Sequence, residues 1–486
     1  MFPGRKQSIA DRVFWVSFHA RVRLSWRKFL GFQTDYNTLP SELQYPLNSQ
    51  LPDPSNPTDP TKEKWRGAFV AKAVTDVGMR RSSNQDSYCI TLADDREKWE
   101  RSGHLLIVAD GMGAHAAGEL ASRLSVDLIP HHYTKLNRGD PIRAILQALE
   151  EANAEIYRRG QANPEFRSMG TTTSALLILP AGAVVAHVGD SRVYRLRGQT
   201  LEQLTFDHSL VWEMRASGEV SEEALKNNAV PKNVITRSLG PNANVQVDLE
   251  GPFPVQKGDR FLLCSDGLSG QLSDEEIGVL LESLDIDMAV RAMVDLANLR
   301  GGPDNVTVII GEVKGDDIVT QHGSSPTPPS PSQSAYPILF GVISAVCLLA
   351  SVILLISYQF PFAAISLAAA VIAAVSGWVK MYSATESPVD RSSKLGRGPH
   401  RKAQCKPTSA FIEQLKNLIK EMQEWVAESG VQVDQKPVEA SMAAGKQAAA
   451  SRDYKQAIHH YCTVLVTLMR HARTKVDVKD EDSIDY

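Results

Sequence analysis

The chain has 486 residues, 43% of them apolar and 22% charged, and a formal net charge of −4. That length needs more than one hydrophobic core, the composition excludes a wholly disordered chain, and the near-neutral balance lacks the strongly basic face of a nucleic-acid binder. Five scattered cysteines, Cys89, Cys264, Cys347, Cys405 and Cys462, form no C-x-x-C pair, which argues for reduced thiols and against a disulfide framework or zinc knot.

Residues 1–65 begin with a basic, aromatic stretch: Arg12, Arg21, Arg23, Arg27 and Lys28 stand among Phe14, Trp15, Phe18, Trp26 and Phe29. The pattern suits an amphipathic helix on an anionic membrane face; a tail or a helix docked on a domain fits it too. The apolar run 13–19 is too short for a secretory leader. Pro, Asn, Ser and Asp crowd 39–62, as in a linker.

From Trp65 short apolar runs alternate with amphipathic stretches. The runs predict strands at 104–109, 173–179, 183–188, 192–196, 260–264 and 305–311. Helices are expected at 116–129, 141–158, 273–283 and 286–299, with Asp140-Pro141 and the capping box Ser273…Glu276 marking two starts. Residues 66–314 therefore read as one α/β or α+β domain, its strands buried on both faces.

A Ser/Pro-rich linker covers 315–335. Two uncharged apolar stretches follow in 336–379, Tyr336–Ser357 and Phe360–Val379. Each is long enough to cross a ~30 Å hydrocarbon layer at ~1.5 Å per residue, so a two-helix transmembrane hairpin is expected. Basic residues in the linker 380–407, among them Lys380, Arg391, Lys394 and Arg397, place both flanking parts in the cytoplasm by the positive-inside tendency. Residues 408–475 are Ala-rich and helical in period; Gly445, Ala457 and Tyr461 fall at the spacing of half a tetratricopeptide repeat. That reading gives a protein-binding surface, and a plain helical hairpin or self-association element is its competitor.

One arrangement recurs in the 66–314 domain. An apolar strand ends and an Asp beside a Gly follows, at Asp110-Gly111, Gly189-Asp190 and Asp266-Gly267; Gly302-Pro303-Asp304 precedes the strand at 305–311. A single Asp-Gly is ordinarily a tight turn. Four at the ends of buried strands can converge, and converging carboxylates need an offsetting cation. An all-oxygen set suits Mg²⁺ or Mn²⁺ rather than zinc. Two such ions can activate water and offset charge on phosphoryl oxygens. Arg81, five residues before Asp86, has the planar fork that grips a phosphate.

Taken in order, TDVGMRRSSNQD (75–86), VADGMGAHAAGELAS (108–122), GTTTSALL (170–177), HVGDSRVYRLRGQTLEQLTFDHSLV (187–211), VITRSLG (234–240), LLCSDGLSGQLSDEEI (262–277) and GPDNVTVIIGEV (302–313) resemble the protein phosphatase 2C family, in a bacterial variety. The resemblance implies an α+β, four-layer α-β-β-α sandwich and hydrolysis of phosphoserine and phosphothreonine on protein substrates, opposing Ser/Thr kinases. It implies two Mn²⁺ or Mg²⁺ ions held by Asp110, the Gly111 carbonyl, Asp266 and Asp304, with a third, weaker site at Asp190 and Asp266. Asp86 would orient the attacking water, Arg81 would bind the substrate phosphate, and the region around Asp207–Arg237 would be a flap over the site.

Two positions depart from the family pattern. Ala114 replaces the usual second glycine of the D-G-M-G-G block, and Met112 stands where many members carry a general-acid His. A catalytically weak membrane scaffold or receptor that recruits partners through its C-terminal helices is the competing function. The complete carboxylate set favours the enzyme.

Overall fold

The computed structural model describes residues 65–320 except 66, 114–115, 219–230 and 232–233, most of 346–371, and 395–481 except 397 and 431. One compact unit joins the chain up to Thr320 with Gly396–Tyr486, and residues Gln321–Leu395 form a second.

The first unit contains two antiparallel sheets. One runs β1 (Phe69–Asp76), β11 (Val306–Val313), β10 (Arg260–Cys264), β7 (Arg192–Arg197), β8 (Thr200–Gln203) and β12 (Arg401–Gln404). The other runs β2 (Asp86–Thr91), β3 (His104–Met112), β5 (Thr173–Leu179), β6 (Gly182–Val188) and β9 (Asp248–Phe253), with β4 (Gly170–Thr171) on β3. Alternation along each strand divides the core. Leu106 and Val108 of β3 join Phe261, Leu263 and Ile309 between the sheets. Leu105, Ile107 and Ala109 point the other way, onto α2 (Ala117–Leu136) and α3 (Pro141–Ala162). Leu262, Val308 and Ile310 face α6 (Asp274–Ser283) and α7 (Ile286–Leu299). Three apolar layers lie between four layers of structure, so the expected sandwich forms. Three short helices, α1 (Arg96–Ser102), α4 (Leu210–Ser217) and α5 (Asp266–Ser269), lie in the connections.

The expected helix at 116–129 continues through Pro130 to Leu136. Proline disfavours a helix interior, but the last turn is held from outside: the Tyr133 hydroxyl donates to the Ser102 carbonyl at 2.6 Å and Asn137 Nδ2 to the Arg101 carbonyl at 2.8 Å.

The region after residue 395 differs from its expected form. Arg401–Gln404, read as linker, is a sheet strand, because Leu201 and Ala403 meet in the β8–β12 register and both enter the buried core. Helices α8 (Ser409–Ser429), α9 (Gln435–Ala450) and α10 (Tyr454–Glu481) follow. Their apolar residues, among them Leu415, Ile419, Ile458 and Leu465, are buried in the same cluster as α6 and α7. The amphipathic face of 408–475 is thus spent on the sandwich.

In the second unit, helical positions expose Leu349, Ile353, Ile356 and Ile365, and Ser366 Oγ donates to the Cys347 carbonyl at 2.8 Å. Among the described residues no helix is long and apolar enough to cross a membrane. Much of the expected spans Tyr336–Ser357 and Phe360–Val379, and the basic N-terminal stretch, lie outside the described residues.

Candidate active site

Five carboxylates meet at one end of the two sheets, each delivered by a strand end. Asp110 closes the apolar run of β3, and Asp86 opens β2 directly opposite it in the ladder. Asp190 follows β6, Asp266 starts α5 just after β10, and Asp304 precedes β11. Strands place acids here because their interiors are filled with β-branched and leucine side chains, which leaves the ends for polar work.

The electrostatics show how crowded they are. Burial, then the charges of Asp86, Asp266, Asp190 and Asp304, holds the Asp110 carboxyl well above the usual carboxylate range. Asp86 is pushed up to about 7, chiefly by burial, despite the hydrogen bond from Ser265. Asp190 is pushed up to about 7 by burial and by Asp266. Asp266 is raised by burial and by Asp304, and a hydrogen bond with Asp110 partly offsets this. Asp86 Oδ1, Asp190 Oδ1 and Asp266 Oδ1 are buried without a hydrogen-bond partner. Buried orphan acceptors are costly, and a cation relieves them.

The donor set is all oxygen and fits hard cations such as Mg²⁺ or Mn²⁺. It is gathered but not closed: among the described residues no three His, Cys, Asp or Glu side chains form a ready metal cage. Gly111 permits a close approach here, since a Cβ on it would stand 2.1 Å from the Gly118 carbonyl oxygen at the start of α2.

Arg81, half-exposed, pairs with Asp304 at 2.7 Å. The loop that carries it is pinned by Asn305, whose Nδ2 donates to the carbonyls of Val77 and Ser83 and whose Oδ1 accepts from the Gln85 N–H. Asn305 had no motif of its own beyond its place after Asp304. Ser265 was also missed: its hydroxyl donates to Asp86 at 2.7 Å and accepts from the Thr307 N–H at 3.0 Å. Thr172 Oγ1 accepts from the Asp110 N–H at 3.0 Å. These are common residue types whose roles only the packing reveals.

Behind Asp190, Arg192 pairs with Asp207 at 2.7 Å and lies over the Trp212 ring of α4 at 5.6 Å. Arg401 of β12 covers the same ring, also at 5.6 Å. The segment expected as a flap is tied at its two ends, where Leu210 donates to the Val234 carbonyl at 2.9 Å and Arg237 pairs with Asp248 at 2.9 Å. Its middle, 219–230, lies outside the described residues, as does Ala114 in the separate loop after β3.

A family model described as protein phosphatase 2C matches residues 80–295. The chain is 36% identical over 248 residues to a putative protein phosphatase 2C-type of Streptococcus pyogenes, covering 50% of this chain and 97% of that protein. It is 37% identical over 250 residues to the protein phosphatase PhpP of Streptococcus pneumoniae, covering 50% of this chain and 97% of the relative. The catalytic domain of the serine/threonine protein phosphatase PstP, solved in complex with two manganese ions, is 33% identical over 51% of this chain and 99% of its own, with a TM-score of 0.43. With half of its length accounting for nearly all of such relatives, this chain belongs to the protein phosphatase 2C family and is a serine/threonine phosphatase of that type.

Proposed function

We propose that the chain removes phosphate from phosphoserine and phosphothreonine of proteins at a binuclear Mn²⁺ or Mg²⁺ centre. Asp110, the Gly111 carbonyl, Asp266 and Asp304 would hold the two ions, and Asp190 with Asp266 a third, weaker one. Bound there, such ions lower the pKa of water and offset charge on the phosphoryl oxygens. The observation that carries this reading is the set of buried, mutually repelling carboxylates with orphan oxygens at Asp86, Asp190 and Asp266.

The chain's own residues do the rest. Asp86, fixed by Ser265, turns its free Oδ1 into the site and orients the attacking water. Arg81 lies at the rim with its guanidinium on Asp304. A phosphate dianion can compete for that fork, because it too offers paired oxygens in matching geometry. Burial of the acids excludes bulk water and strengthens each of these contacts.

The apolar content of 336–379 and the basic residues after it support a membrane tether with the catalytic unit on the cytoplasmic side, where the enzyme would oppose a Ser/Thr kinase. Contact with lipid would then come from 336–379. The outer surface of 408–475 would serve a protein partner, because its inner face is occupied.

The test is hydrolysis of a phosphothreonine peptide by the full chain. Turnover should require Mn²⁺ or Mg²⁺, vanish with EDTA and return on metal addition, and Asp110→Asn should lower kcat at least ~10²-fold. Equal turnover by Asp110→Asn and wild type would refute the site.

A further inference from the structure

The C-terminal helix α10 reaches the loop that carries Arg81. Arg473 Nη2 lies 3.1 Å from Asp76 Oδ2 and 2.8 Å from Asp295 Oδ1. Asp295 is a buried residue of α7, where burial raises its pKa to about 7 and Arg473 opposes the rise. Asp76 is the last residue of β1. Its other oxygen accepts from the Gly78 N–H and from Asn298 Nδ2, each at 2.9 Å. The chain then turns through Met79, whose N–H donates to the Gly302 carbonyl at 2.8 Å, and arrives at Arg81. Asp76 is therefore the junction between β1 and the loop that bears the candidate phosphate ligand, and three donors fix it.

We propose that Arg473 is a positioning residue for substrate phosphate: by holding Asp76 it sets the Arg81 loop and so the affinity of the site for the phosphoryl group. The proposal rests on the phosphate-binding reading of Arg81. Arg473 lies well beyond residue 295, where the family match ends, and half of this chain accounts for 97% of the Streptococcus pyogenes relative. The control is thus an addition carried by the C-terminal extension, and it gives α8–α10 a route to the reaction that needs no contact with substrate.

The experiment uses the full chain with Mn²⁺, a phosphothreonine peptide as substrate and inorganic phosphate as competitive inhibitor. Arg473→Ala should raise KM and the phosphate inhibition constant together by roughly 3- to 10-fold, with kcat changed less than about twofold. Arg473→Lys keeps the charge and should recover most of the affinity; it also carries the test if the alanine variant does not fold. In an Arg81→Ala background, Arg473→Ala should add nothing further to KM, because its effect runs through that loop. Asp295→Asn leaves the Arg473–Asp76 pair and should hold KM and the phosphate inhibition constant within about twofold of wild type. A lowered melting temperature with unchanged KM and phosphate inhibition in both Arg473 variants, or additive effects in the double variant, would overturn the proposal. Absence of any metal-dependent turnover by wild type would instead sink the underlying phosphatase reading, and this proposal with it.

Discussion

Asp86 faces Asp110 across the β2–β3 ladder, two acids in directly opposed positions of neighbouring strands. Like charges so placed destabilise a sheet. The fold keeps them because the ladder ends there and Ser265, from the other sheet's β10–α5 junction, donates to Asp86. The pair therefore ties the two sheets together at the reaction centre.

Asp86→Asn separates the structural and chemical roles of that pair. It should lower kcat by about 10–100-fold, as loss of an orienting group beside a metal does. The metal-free melting temperature should stay or rise, because one buried like charge is gone. Kinetics with Mn²⁺ and thermal melts in EDTA check both; a kcat within twofold of wild type would remove Asp86 from the mechanism.

Gly278, in the middle of α6, marks where the C-terminal segment enters the core. A Cβ there would stand 2.0 Å from Cys405 Sγ, which is fully buried just after β12. Gly278→Ala should destabilise the chain by about 1–3 kcal/mol through overpacking, despite the gain in helix propensity. Paired with Cys405→Ala it should cost less than the sum of the two single changes. Denaturant titration of the four proteins gives the cycle, and simple additivity would mean the two residues do not touch.

His104 sets a pH dependence. Its Nδ1 accepts from the Ala93 N–H at 3.0 Å, and its ring stacks on Phe69 at 5.0 Å. Burial lowers its pKa from 6.5 to about 4. The unfolded chain binds this proton first, so the contribution is complete above pH 6.5 and is lost as pH falls to about 4. The loss is about 3 kcal/mol at ~1.36 kcal/mol per pH unit. His104→Gln should flatten the slope of stability between those limits in urea titrations. Some slope should remain from His187, which burial lowers to about 3.

The strands that pattern analysis located, β3, β5, β6, β7, β10 and β11, are interior strands of the two sheets, buried on both faces. Those it missed include all four edges, β1, β2, β9 and β12. An edge strand has one open side and carries polar residues, such as Lys72 in β1 and Lys402 in β12, so its apolar run is broken. Asp110, Asp190, Asp266 and Asp304 were legible because each borders the apolar run of an interior strand, where the change to Asp beside Gly is abrupt, whereas Asp86 opens the edge strand β2 and was found only through the resemblance. Ser265, Asn305 and Arg473 were not, because serine, asparagine and surface arginine are common and their partners lie far away in sequence.

Local pattern thus determined an α/β or α+β domain and the strand ends that carry Asp110, Asp190, Asp266 and Asp304, while the ordered motifs carried the resemblance that implied the sandwich and the family. Tertiary structure decided how those ends meet, which oxygens are left without partners, and that 396–473 belongs to the catalytic unit rather than hanging from it. The reason is range. Periodicity and turn chemistry are set by neighbours a few residues apart, whereas the contacts of Arg473 with Asp76 and of Cys405 with Gly278 join positions that only the packed core brings together.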